Sequence, residues 1–277
     1  MKEKQQNIMY TNKCDTHTHT LYSRHAFSTI EENVRAAAEQ GMELLATTDH
    51  FSDMLYPEVT IKHYQYLFNQ TMLPRTWHGV TLLRGVEADI IDLEGHLFGH
   101  GFAVNCNIVG MPFKTIRDLD EFVASKQDYV IASVHGKRNL EGATVGQLTD
   151  MYVKALENQK VLILGHIGRS GLSIDVDALL SAAKSMNKLI ELNEHSFDNG
   201  GEAGVKRCRR IAERCAELGV MVSLGTDAHV SCFIGKFDRT LQLLEEIHFP
   251  EELIASRSRE SFLEALKRSG VSDLSLA

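Results

Sequence analysis

The feature that most constrains this chain is a series of short apolar runs, each ending in a histidine or a carboxylate. They are Leu44-Leu-Ala-Thr-Thr-Asp49-His50, Leu82-Leu-Arg-Gly-Val-Glu87, Tyr129-Val-Ile-Ala-Ser-Val-His135, Val161-Leu-Ile-Leu-Gly-His166 and Val220-Met-Val-Ser-Leu-Gly-Thr-Asp227-Ala-His229. Runs of this length read as buried strands. The stretches between them carry helix signals, and strands alternating with helices build a parallel sheet. In a βα barrel the carboxyl ends of all strands open on one face. Side chains at these run ends therefore converge there.

The pattern predicts strands near 13–19, 43–48, 80–86, 129–134, 161–164, 189–193 and 220–224. Ser28-Thr-Ile-Glu31 is a capping-box pattern opening the first helix, and Gly41 stands where its C′ residue belongs. Further helices are expected near 115–126, 145–158, 175–188, 202–218, 238–247 and 259–269, with a loop and helix region over 53–79. Gly95, Gly99, Gly101 and Gly110 punctuate residues 88–114, which predicts a hairpin or lid inserted beside the barrel mouth. The expected fold is α/β: one distorted TIM-like barrel of about seven βα units filling residues 1–277, with a polar extension over 1–12.

Composition narrows the setting. An apolar fraction of 43% in 277 residues fills a sizeable core. The net charge of −8 gives no broad attraction to nucleic acid or anionic membrane. The five cysteines (Cys14, Cys106, Cys208, Cys215, Cys232) are odd in number, widely spaced and without a CxxC pair. That usage indicates a reducing compartment. With a polar start and no long apolar run, the chain is expected to be cytoplasmic. Nothing in the sequence specifies an oligomeric state.

Nine residues are candidate metal ligands: His17, His19, His25, His50, Glu87, His135, His166, Asp227 and His229. His17-Thr-His19 places two imidazoles on one side of an extended segment. Asp15, two residues earlier, is expected to accept a ring N–H and fix the tautomer, as metal-bound histidines require. Asp49-His50 and Asp227-Ala-His229 repeat that chemistry. Glu87 ends a strand that should be buried, where an unpaired carboxylate is costly and wants a cation; a salt bridge to Arg84 or Arg24 is the competing reading. Arg24, Lys137, Arg138 and Arg169 adjoin the proposed ligands, and of these Arg24, Lys137 and Arg169 are the candidate phosphate contacts. His96 and His100, four residues apart in the glycine-rich segment, are candidates for lining the mouth. No phosphate-binding glycine loop and no activated serine or cysteine is recognisable, so a nucleotide cofactor and a protein nucleophile are not expected.

At these residues the chain resembles the PHP (polymerase and histidinol phosphatase) superfamily. Asp15-Thr-His17-Thr-His19, His25, Thr48-Asp49-His50, Gly85-Val-Glu87, Val134-His135, Gly165-His166 and Gly225-Thr-Asp227-Ala-His229 stand in the family's order. It looks similar to the stand-alone bacterial phosphatases of that family, which carry three zinc ions in a distorted (β/α)7 barrel. Two departures are a longer stretch between Glu87 and His135 and the sequence His166-Ile-Gly-Arg at the end of the fourth run.

The resemblance implies one metal held by His17, His19, Glu87 and Asp227. It implies a second bridged by Glu87 and held by His135 and His166, and a third with His25, His50 and His229. It further implies hydrolysis of a small phosphorylated metabolite, such as histidinol phosphate, a sugar phosphate or a nucleotide. Glu87 and Asp227 would act through water activated by metal, most simply zinc, with manganese or iron suited to the same donors. Two other readings belong beside this one: an amidohydrolase-type metal barrel, and a non-catalytic PHP module that serves as a metal-stabilised scaffold.

Overall fold

The computed structural model describes residues 10–56, 58–137 and 139–274. Arg138 and most of the expected polar extension lie outside the described residues. In chain order, β1 (Cys14–Asp15) leads to α1 (Ile30–Glu39), then β2 (Leu44–Thr47) and β3 (His50–Phe51). Helix α2 (Gln65–Asn69) and β4 (Thr76–Trp77) precede the long β5 (Val80–Asp89). An insertion holds β6 (Ala103–Cys106), β7 (Pro112–Asp118) and α3 (Leu119–Ala124). Four βα units follow: β8 (Tyr129–Ser133) with α4 (Val145–Glu157), and β9 (Val161–Leu164) with α5 (Ile167–Ser170) and α6 (Val176–Ser185). The third is β10 (Leu189–Asn193) with α7 (Ser196–Asn199) and α8 (Gly201–Leu218), and the last is β11 (Val222–Gly225) with α9 (Asp238–Glu246) and α10 (Arg259–Arg268).

The strands pair in parallel in the order β1-β2-β5-β8-β9-β10-β11, with β3 and β4 added to β5 beside this path. The first and last are joined across the remaining gap. Thr16 Oγ1 donates to Leu224 O at 2.9 Å, Asp227 N to His17 O at 2.8 Å and His19 N to Ala228 O at 2.9 Å. The result is a nearly closed seven-stranded barrel surrounded by helices, the fold class the run pattern predicts. Among the described residues no helix is long and apolar enough to cross a membrane.

Strand alternation sorts the side chains. Leu44 and Ala46 face the barrel interior with Cys14, Leu83, Tyr129, Ile131 and Leu189, closed below by Phe262 and Leu266 of α10. Leu45, Leu82 and Val86 face outward into the layer of helices. On β5 the inward face reads Leu83, Gly85, Glu87, Asp89, so the apolar floor gives way to carboxylates only at the mouth. On β10 the same parity stacks Glu191 and Asn193 above Leu189. Glycines keep this interior open where side chains crowd. A Cβ on Gly225 would stand 2.5 Å from both Glu191 Oε1 and His17 Cβ, and one on Gly165 would stand 2.3 Å from Ser133 Oγ.

Three local readings are corrected. The first capping box is formed by Thr29 and Glu32, one residue later than expected, because Ser28 is turned inward to accept from Ser231 N at 2.8 Å. Regular pairing of the first strand stops at Asp15, with only a bridge at Thr18 beyond it. The expected helix near 115–126 begins only at Leu119, because residues 112–118 pair with β6 as a hairpin across the 107–111 turn. Residues 88–114 thus do contain the predicted hairpin, which runs on to Asp118. Gly41 takes the left-handed conformation after α1, as expected.

Overpacking at Gly225 is expected to destabilise the fold. Gly225→Ala should cost about 1–3 kcal/mol, which lowers the melting temperature by roughly 2–4 °C per kcal/mol in a chain of this size. Gly136→Ala, where an added Cβ meets nothing within 4 Å, should leave it unchanged in the same thermal melt.

Candidate metal centre

All nine predicted side chains converge at the carboxyl ends of the strands. β5 lifts Glu87 to the barrel mouth with no exposed surface. The short β3 pairs His50 directly with Glu87 and brings His50 Nδ1 to 2.7 Å from Glu87 Oε2. His166 Nε2 lies 2.7 Å and His135 Nε2 3.4 Å from the other oxygen, Oε1. His17 Nε2 and His19 Nε2 lie 3.3 and 3.6 Å from Oε2. Asp227 Oδ1 closes on His19 Nε2 at 3.0 Å and on His17 Nε2 at 3.6 Å. His229 and His25 complete the ring at the solvent edge, their Nε2 atoms 2.9 Å apart. The donors fall into overlapping groups, His17 with His19 and Asp227, His50 with Glu87 and His135, and His19 with His50 and His229.

The outward ring nitrogens decide which tautomers are present. His17 Nδ1 meets Glu191 Oε1 at 2.6 Å and His135 Nδ1 meets Asp89 Oδ1 at 2.5 Å. His229 Nδ1 faces Asp227 O at 2.9 Å. His19 Nδ1 faces Ser23 Oγ at 3.0 Å, and that hydroxyl already donates to Asp49 Oδ1 at 2.7 Å, so it accepts from His19. In the neutral ring each of these Nδ1 atoms carries the proton, which leaves its Nε2 as the inward atom free to ligate. His17 and His19 bring their Nε2 atoms within 3.1 Å of each other, beside two carboxylates. Glu87 Oε2 and His50 Nδ1 are buried without a hydrogen bond although they nearly touch. Acceptors do not converge on one another in a dry interior unless a cation lies among them. A proton satisfies two such atoms; this arrangement presents many, and imidazole with carboxylate is the donor set of zinc and its neighbours.

The electrostatics agree. Burial by itself raises the Glu87 carboxyl, but His135, His17, His50 and the His166 hydrogen bond hold it well below the carboxylate range. Burial likewise lowers His17, yet Glu191, Glu87 and Asp227 together lift it well above the usual imidazole value. That is the response of a site with surplus negative charge. At the rim, burial and the neighbouring His50 and His229 hold His25 down at about 4. Three of the residues here, Arg24, His166 and Asp227, have positive φ (62°, 28° and 56°) without being glycine. Backbone strain of this kind persists only where surroundings enforce it, and it gathers at functional sites.

Asp15 does not have the expected role. It points out of the barrel, where it accepts from Thr226 N and Oγ1 and from Gly235 N, tying β11 and the following loop to β1. Glu191 orients His17 instead. Sequence reasoning missed it, although a lone carboxylate inside Leu189-Ile-Glu-Leu-Asn is the same signal that singled out Glu87. Asp89, two residues beyond Glu87 on one strand face, was also legible by parity. Neither competing salt bridge to Glu87 forms: Arg84 donates to Leu73 O and Arg24 to Leu55 O.

Of the basic candidates, Arg169 sits at the site, with its NH1 3.0 Å from Asp227 Oδ2. Arg24 lies 4.9 Å over the Tyr56 ring, and Lys137 is exposed beside Gly171. His96 and His100 stack on each other away from the nine. A cleft of about 630 Å³ opens beside Asp227 and His229, walled by His195, Phe233, Lys236 and Arg239.

If His17 ligates a metal, Glu191, bonded to its outer nitrogen, holds it in the ligating tautomer, and Glu191→Gln should weaken metal retention about 10–100-fold, the usual effect of losing a carboxylate behind a ligating histidine. Competition with a graded chelator series reads this. Unchanged retention would remove Glu191 from the account.

The PHP domain family model matches residues 15–268. A probable phosphatase of Clostridium acetobutylicum is 36% identical over 256 residues, covering 92% of this chain and 95% of that protein. One from Caldanaerobacter subterraneus subsp. tengcongensis is 38% identical over 244 residues, covering 88% and 87%. Among solved structures, the histidinol phosphate phosphatase of Lactococcus lactis, complexed with zinc, L-histidinol and phosphate, shares the fold. Its TM-score is 0.55 at 18% identity, with 86% of this chain and 95% of that one covered. A putative histidinol phosphatase of Listeria monocytogenes has TM-score 0.55 at 17% identity, covering 82% and 99%. Matched by the family model over nearly its whole length and by relatives 36% and 38% identical, the chain belongs to the PHP family.

Proposed function

We propose that this protein is a metal-dependent phosphatase acting on a small phosphate monoester. The carrying observation is the convergence of buried carboxylate oxygens and imidazole nitrogens around Glu87, closer together than their hydrogen bonds account for, with Glu87 Oε2 and His50 Nδ1 left without a hydrogen bond 2.7 Å apart. His17, His19, Glu87 and Asp227 would hold one ion, Glu87, His135 and His166 a second, and His25, His50 and His229 a third, zinc being the simplest choice. The names of the relatives support the phosphatase reading, and the zinc and phosphate bound by the Lactococcus protein are in keeping with it.

When bound, such ions polarise phosphoryl oxygens and make water acidic enough to attack at neutral pH. The protein's part is positional. Glu87 and Asp227 stay ionised at working pH because imidazoles surround them. Glu191, Asp89 and Ser23 aim the rings. Arg169 is held by Asp227 at the site, where a planar guanidinium matches phosphate oxygens. Lys137 and Arg24 stand farther out and would act on approach. Cys14, the cysteine nearest His17 in the chain, is no nucleophile: it is sealed in the barrel core, where burial pushes its thiol well up. We read the displacement as one by water. The cleft walled by His195, Phe233, Lys236 and Arg239 receives the alcohol portion of the ester.

The test is phosphate release from a panel containing histidinol phosphate, sugar phosphates and nucleotides. Activity should vanish on chelation and return with zinc or manganese. Glu87→Gln should lower kcat by at least about 10²–10³-fold, the scale of losing one preorganised electrostatic group. Full activity in Glu87→Gln, or activity indifferent to chelation, would overturn the proposal.

A further inference from the structure

The insertion between β5 and β8 carries a second group of metal-type donors that the barrel mouth does not use. His100 Nδ1 lies 3.7 Å from Asp120 Oδ2 and 3.8 Å from Asp118 Oδ2, and the three donor atoms sit within 4.8 Å of one another. These separations are too long for hydrogen bonds. They suit ligands that share an ion at about 2.0–2.2 Å from each. A neighbour four residues away supplies the control. His96 Nδ1 closes on Asp92 Oδ2 at 2.8 Å, and its ring stacks flat on His100 at 3.7 Å. An imidazole in this turn that has only a carboxylate to meet makes the bond. His100 stands off from two carboxylates at once.

Asp120 sharpens the point. It is 9% exposed, and its Oδ1 accepts the Glu121 N–H at 2.8 Å. Its Oδ2, the oxygen facing His100, has no hydrogen bond among the described residues. No lysine or arginine pairs with Asp118 or Asp120 among the described residues. The nearer neutral partner is Gly101, whose N–H donates to Asp118 Oδ2 at 2.8 Å.

We propose that His100, Asp118 and Asp120 bind a divalent cation, separate from the barrel centre, that clasps the base of the β6–β7 hairpin. One nitrogen and two carboxylates, with water in the open positions, suit zinc or manganese better than magnesium, which is reluctant to leave an all-oxygen shell. The placement gives the clasp a purpose. His100 precedes β6 and Asp118 ends β7, so one ion ties both feet of the hairpin. A two-stranded ribbon is marginal by itself, and β7 is mostly exposed. The same turn bears on the barrel mouth. A Cβ on Gly99 would stand 2.8 Å from Phe51 Cζ, and Phe98 meets the Phe51 ring edge-on at 5.0 Å, one residue from His50.

The experiment compares zinc content per chain in wild type and in the Asp118→Asn/Asp120→Asn variant after equilibrium dialysis at one free zinc concentration. Wild type should retain one equivalent more, and His96→Ala should retain it too. Reading the difference rather than the total separates this site from whatever the barrel mouth holds. Trypsin cleavage at Lys114 and Arg117 should be several-fold faster in the double variant than in zinc-loaded wild type. Should the double variant fail to fold, His100→Gln is read in the same two assays. Equal zinc content in wild type and a folded variant overturns the proposal.

Discussion

A carboxylate with no solvent contact, ringed by imidazoles, governs this structure. Left alone, Glu87 would be prohibitively costly to bury. Ser133 Oγ donates to it at 2.7 Å, His166 bonds the same oxygen, and His17, His19, His50 and His135 press around both oxygens. The backbone is arranged to serve this contact. β5 runs ten residues and reaches beyond its neighbours, and the two-residue β3 pairs His50 and Phe51 with Glu87 and Ala88. Positive φ at His166 and Asp227 turns the chain where two more donors must point inward.

Around that ring runs a second circle of acceptors, and it sets the tautomer of four of the histidines. Glu191, Asp89, the Ser23–Asp49 pair and the Asp227 carbonyl each accept a hydrogen bond from the outward N–H of His17, His135, His19 and His229 respectively. In their neutral rings the inward nitrogen is left free to ligate. Positions with no predicted role, such as Glu191 and Ser23, thereby decide the chemistry of positions that were predicted. In the proposed function the acidic net charge is no obstacle to an anionic substrate, because the cations held there would set the local field at the mouth together with Arg169.

Much of this was legible because the barrel strands are largely apolar on both faces until they near the mouth. The change from Val86 to Glu87, or from Leu164 to His166, marks the mouth in one dimension. What escaped depended on facts that a linear pattern does not carry. Asp15 lies two residues from His17, but regular pairing ends at Asp15 and the chain turns, so the carboxylate faces outward. The capping box moved from Ser28 to Thr29 because a distant loop claims the Ser28 hydroxyl. Residues 112–118 have no buried face to betray a strand; only their partner across the hairpin makes them one. Glu191 carried a readable signal that was passed over, an isolated carboxylate in an apolar run.

The central claim is that the nine residues at the barrel mouth form one metal centre built on Glu87. An anomalous difference map from crystals of metal-loaded protein, recorded at the metal's absorption edge, tests it most directly. The account predicts peaks within about 2.0–2.3 Å of Glu87, Asp227 and the inward nitrogens of the seven histidines. Crystals of protein shown to carry metal, with no peak within bonding distance of Glu87, would contradict it.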